Sequence, residues 1–168
     1  MPADDAAAAA ADAAASSQPS YATSDDADIA EIQDYELTMD DIRMWSAATA
    51  ELQRVVEANP QLAASLEEEE SGGQDLDDSI DAMAERYDSE PAVRDAIEDA
   101  GLSAREYTVI FWAMMQAGMA QFSIEQGANP EEVARDLQVN PANIEFVQEH
   151  EAEIAALREQ LQGGSNAN

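Results

Sequence analysis

The chain has 168 residues, 37 of them Asp or Glu against seven basic residues, all Arg; it contains no Lys and no Cys, and its formal net charge is −30. Seven scattered Arg make no basic footprint, which excludes direct binding to a phosphate backbone, and the missing Cys excludes disulfides, thiolate catalysis, Cys-ligated zinc and a Cys-linked lipid anchor. Such an acidic coat repels itself in dilute buffer but not in molar salt, where the Debye length falls to about 3 Å, so the charge predicts a salt-adapted protein, with GC-rich codon bias as the competing cause of the missing Lys.

The length suits one domain, and 45% hydrophobic residues allow a core, although many are Ala and only 5% of the chain is aromatic. Residues 1–36 are Ala-rich, acidic and poor in bulky apolar groups, which reads as a disordered tail. Within it, Ile29, Ile32 and Tyr35 have the spacing of a helical turn that docks on the body. Met1 to Tyr21 has no basic n-region and no continuous apolar core, so it is not an intact signal peptide. Its Ala/Ser/Asp/Pro composition fits either the start of a mature exported chain or a cytoplasmic tail.

Leu37-Thr38-Met39-Asp40-Asp41-Ile42 predicts a helix start, with Thr38 as N-cap, Asp41 at the third position and a Leu37/Ile42 staple. From Thr38 to about Ala58, Ile42, Trp45, Thr49, Leu52 and Val56 recur at three- and four-residue steps and form a core-facing seam. Glu67 to Asp78 holds four consecutive Glu and two Gly and reads as a flexible acidic loop. A shorter helix follows, with Ile80, Met83, Ala84 and Tyr87 on one side, and then one capped by Ser89 or Glu90 that carries Val93 and Ile97.

Leu102-Ser103-Ala104-Arg105-Glu106-Tyr107 is a second capping box. The eighteen residues from Tyr107 to Ile124 then carry no charge, and apolar groups surround the axis: this predicts a buried central helix, with Gly118 admitting a close neighbour. The stretch is short for a membrane span and lacks basic anchors, so no span is expected. Asn59-Pro60, Asn129-Pro130 and Asn140-Pro141 each place a capping Asn before a Pro at the first helical position. A last long helix, Pro141 to Gln162, aligns Val147, His150, Ile154, Leu157 and Leu161, and the end from Gly163 should fray. The predicted fold is all-α: a small helical bundle over 37–162 around the central apolar helix, with an acidic tail at 1–36 and a disordered C-terminus at 163–168.

No catalytic, cofactor-binding or metal-ligating residue is assigned. His150 is the only His and lies on an apolar stripe; Val147 stands where a di-iron bundle needs Glu, so a packed residue with a modest pH response is expected. Asp75, Asp77 and Ser79 begin like a calcium loop, but Ile80 replaces its turn Gly and Arg86 its bidentate Glu. Loose cation condensation on Glu67 to Glu70 is the better expectation. Met114, Met115 and Met119 suggest core packing ahead of a soft-metal site, with a small pocket lined by Trp112 and these Met as a lesser option. No nucleophile elbow, phosphate loop, dinucleotide fingerprint or H-E-x-x-H is present.

Ser79-Ile80-Asp81-Ala82-Met83, Pro91-Ala92-Val93-Arg94 and Ala100-Gly101-Leu102-Ser103-Ala104-Arg105-Glu106-Tyr107 together resemble a pattern in small, exported, all-helical bacterial proteins marked by an A-G-L-S-x-R-E-Y segment, a group with no assigned activity. The resemblance spans about a third of the chain and implies export and a helical body, without site residues to transfer. Leu37-Thr38-x-x-Asp41 is also similar to the L-T-x-x-Q element of periplasmic helical stress chaperones, with Asp in place of Gln.

The expected function is that of a non-enzymatic, salt-adapted acidic helical protein, exported to the periplasm or medium, that binds or protects other macromolecules. The alternative is an acidic decoy, a nucleic-acid mimic or inhibitor, covering a basic protein surface; the cytoplasm of a halophile is the alternative location. A carboxylate enzyme ranks last. The expected assembly is a monomer or small homo-oligomer.

Overall fold

A computed structural model of the chain describes residues 26–64 and 79–165, and among them every regular element is a helix. In chain order these are α1 (Asp26–Asp34), α2 (Met39–Ala58), α3 (Ile80–Ser89), α4 (Pro91–Asp99), α5 (Ala104–Glu125), α6 (Pro130–Asp136), α7 (Pro141–Glu149) and α8 (Glu151–Ser165), with a further helical turn at residues 60–64. Caps set most of the starts. Thr38 and Ser103 each close a full capping box, with Asp41 and Glu106, so the orphan N–H groups of α2 and α5 find partners. Asn129 and Asn140 cap α6 and α7 ahead of Pro130 and Pro141. Asn59 ends α2 and accepts from Leu62 N at 3.4 Å. Gly101 has φ +92°, the left-handed conformation that lets the chain turn from α4 into α5 without strain.

The helices close around α5. α2 packs against α4, α5 and α8, while α5 also meets α1, α3, α6 and α7. The main core joins Ile42, Ile80, Ile97, Tyr107, Ile110 and Trp112, with Trp45 stacked on Tyr107 at 5.6 Å between ring centroids. A smaller core sets Ala117 and Ala120 of α5 against Val133, Val139 and Ile144. Small residues there let α6 and α7 lie close to α5.

Long-range polar contacts fasten the first helix. Asp28 is 5% exposed and accepts from Ile80 N at 2.9 Å, which gives α3 an N-terminal partner from a distant part of the chain. Arg105, at the start of α5, pairs with both Glu31 of α1 and Asp81 of α3, and these contacts raise its pKa further. Asn143, buried in α7, accepts from Leu37 N at 2.8 Å and donates to Tyr35 O at 2.8 Å. The link between α1 and α2 is thereby satisfied by α7.

Several expectations need correction. The tail at 1–36 does not extend that far as unstructured chain, because Asp26–Asp34 is a helix with Ile32 buried in the main core. The helix expected over Pro141 to Gln162 is two helices meeting at His150, whose φ of −107° and ψ of 16° leave the helical range. The break has a packing cause: α7 lies on α5 and α8 on α2, and one straight helix cannot follow both. At the C-terminus, residues 163–165 remain helical as part of α8. The Glu67 to Asp78 loop lies outside the described residues, as do residues 1–25 and 166–168.

Candidate binding cleft

The central helix is not apolar on all sides for the same reason along its length. Ala113, Ala117, Ala120 and Ile124 make one stripe, at three- and four-residue steps, and the three Ala are fully buried. Met115, Met119 and Phe122 make the opposite stripe, where Met119 is 37% and Phe122 62% exposed. The expected all-round burial therefore holds for the first half of α5 and fails for the second. Gly118 follows the same rule: nothing lies within 4 Å of where its Cβ would stand, so it admits no close neighbour.

Where this face opens, α2, α5 and α8 enclose a cleft of about 300 Å³. Helix α2 contributes Ile42, Trp45 and Ser46, α5 contributes Phe111, Met114 and Met115, and α8 contributes Ile154, Leu157, Arg158, Leu161 and Gln162. No carboxylate of the described residues lines it. The Trp45 ring is held in place by stacking on Tyr107 and on Phe111, the latter at 6.4 Å. Tyr107 is fixed in turn by a 3.0 Å hydrogen bond to Thr49 Oγ1. Thr49 donates its one hydroxyl proton to Trp45 O at 2.8 Å, so the Tyr107 hydroxyl is the donor in that bond. Burial pushes the Tyr107 pKa up to about 12. Trp45 Nε1 is itself buried with no hydrogen-bond partner.

A wider recess of about 530 Å³ shares Met114, Met115 and Arg158 with the cleft and adds Gly118, Met119, Phe122, Ser123 and Leu137. Met119, Phe122 and Leu137 are the large apolar side chains that stand exposed among the described residues, and all three line this one recess. A third hollow of about 200 Å³, with Gln121, Glu125 and Glu151 in its wall, also reaches Arg158.

Arg158 differs from the other arginines. Arg43 pairs with Asp40, Arg54 with Glu51, Arg94 with Asp95 and Arg135 with Asp136, while Arg105 holds Glu31 and Asp81 and Arg86 is engaged as well. Among the described residues Arg158 has no ion pair and no hydrogen bond. Its helix neighbours at three and four positions, Ile154, Ala155, Leu161 and Gln162, offer it no acid; Arg105 is alike in this but reaches Glu31 and Asp81 on other helices.

Of the residues singled out from sequence, Met114 and Met115 line the cleft and Met119 the recess beside it. Trp112 does not: it is buried in the main core, its Nε1 unpartnered, and Trp45 takes its place in the cleft wall. His150 lines none of the three hollows; its ring lies 4.7 Å from Phe146, and its Nδ1 is 3.5 Å from Glu153 Oε2. Asp75, Asp77 and Glu67 to Glu70 lie outside the described residues, and Ser79 serves as the N-cap of α3. Among the described residues no cluster of three or more His, Cys, Asp or Glu has the geometry to hold a metal ion, and no helix is long and apolar enough to cross a membrane. Sequence reasoning missed Arg158 and the part played by Trp45; the lack of an acid three or four residues from Arg158 was the available signal. No family model, curated protein or solved structure matches the chain.

Proposed function

We propose that this is a non-enzymatic, exported, salt-adapted protein that binds or protects other macromolecules by receiving their apolar segments on the recess beside α5. One observation carries the reading: among the described residues, the exposed large apolar side chains converge on one recess instead of being scattered. Scattered apolar residues are ordinary, whereas grouped ones mark interaction sites, and flexible Met side chains suit partners of varied shape. Export belongs to this reading through the A-G-L-S-x-R-E-Y resemblance.

Light scattering by a thermally unfolding reporter protein in molar potassium chloride tests the function. The chain is expected to suppress aggregation at stoichiometric ratios, and Phe122→Glu to lose that effect while keeping its fold by circular dichroism. Equal protection by wild type and Phe122→Glu, or none by either, contradicts it. Salt adaptation is tested separately: the thermal midpoint should rise with chloride, and equal midpoints in dilute buffer and molar salt count against it. A basic protein captured only at low salt, with Phe122→Glu binding it as well as wild type, is instead the outcome expected of a decoy.

A further inference from the structure

We propose that the cleft between α2, α5 and α8 is a binding site for a single-chain amphipathic carboxylate, a medium-chain fatty acid, with its tail among Trp45, Phe111, Met115 and Leu157 and its head group on Arg158. The site adjoins the recess that carries the macromolecular reading and shares Met114, Met115 and Arg158 with it, but Phe122, Met119 and Leu137 line the recess alone.

Three observations converge. The volume, about 300 Å³, lies at the lower end of small-molecule sites, and the wall is built from aliphatic, aromatic and thioether groups that suit an alkyl chain. In a chain with 37 acids, the eleven described residues of the lining include no Asp or Glu, and the one charged group among them is Arg158. Arg158 also has no carboxylate of its own among the described residues, whereas the other arginines are engaged. A guanidinium presents a planar fork that a carboxylate fits with two parallel hydrogen bonds.

The net charge of −30 opposes an anion at long range, and this decides the conditions under which the site works. In molar salt the Debye length is about 3 Å, so distant acids are screened while a head group in contact with Arg158 still feels it. Salt also strengthens burial of the alkyl tail when the anion of the salt is kosmotropic.

Titration of the full chain with octanoate, 1-octanol and octylammonium in molar potassium chloride at neutral pH, followed by calorimetry and by Trp45 emission, tests the proposal. Octanoate is expected to bind at one site about fivefold tighter than octanol, the advantage of an exposed ion pair. Arg158→Gln should remove that advantage and leave octanol binding unchanged, while Arg158→Lys keeps part of it. Since Arg158 is exposed, both variants should melt like wild type, which circular dichroism checks. Equal binding of octanoate and octanol by wild type overturns the proposal. So does tighter binding of octylammonium, which makes the acidic coat the selector, and so does the absence of binding by octanoate. Phe122→Ser, which brings no charge into the recess that Arg158 also lines, separates the two readings, because it should weaken aggregation suppression and leave octanoate binding intact.

Discussion

The two halves of the uncharged stretch of α5 do opposite things. From Tyr107 to Ala113 the helix is closed in by α1, α2, α3 and α4, and Val109, Ile110, Trp112 and Ala113 are buried. Beyond Met114 only the Ala117/Ala120 side is covered, by α6 and α7, while Met119 and Phe122 face outward beside the cleft. Absence of charge therefore marks a segment that avoids water overall, but the number of neighbouring helices decides whether each face becomes core or exposed surface. The residue types record the difference. Branched and aromatic side chains dominate the closed half, and Ala, Gly and Met the open half.

Substitutions on the two halves should separate cleanly. Ile110→Ala, in the closed half, is expected to cost about 3–4 kcal/mol in chemical denaturation, through lost burial and the cavity left behind, whereas Met119→Ala should cost under about 0.5 kcal/mol. Similar losses at the two positions would break the contrast. Asn143→Ala should cost about 2–3 kcal/mol, since the Leu37 N–H and the Tyr35 carbonyl lose a buried partner. Amide exchange in the link between α1 and α2 should rise with it.

Tyr107→Phe should cost about 1 kcal/mol by removing the bond to Thr49, and it also alters the alkaline limb of the stability profile. Burial raises the Tyr107 pKa from 10.0 to about 12 in the folded state, so between those values the unfolded chain releases its proton first. Stability is thus fully present below pH 10 and is lost as pH climbs toward 12. Tyr35, also raised to about 12, chiefly by burial and then by Asp41, adds to the same limb. Melts across that range should show a shallower decline for Tyr107→Phe than for wild type. Gly118→Ala should act in the opposite direction: with open space at the Cβ position and an ordinary helical backbone, it should stabilise by about 0.5–1 kcal/mol. Destabilisation there would show that a neighbour does approach the open half.

The helix starts were legible because capping is local chemistry: Thr38, Ser103, Asn129 and Asn140 identify themselves by the residues beside them. What escaped was set by contacts distant in sequence. Asp28 and Asn143 look like surface residues until Ile80 N and the Tyr35–Leu37 link are brought to them. The break at His150 carries no Pro or Gly and follows from α7 and α8 packing on different helices. The cleft needs three helices at once, so the stripe of Met residues hinted at it while its aromatic wall was assigned to Trp112 instead of Trp45. Arg158 was visible only as an arginine with no acid a helical turn away.

Hydroxyl-radical labelling of the intact chain in molar potassium chloride, read residue by residue, measures the contrast within α5 directly. Met119 and Phe122 should be modified rapidly while Tyr107 and Trp112 stay protected until the protein unfolds. Protection of all four in the isolated monomer, or modification of all four in the folded state, would contradict a helix that is core at one end and binding surface at the other.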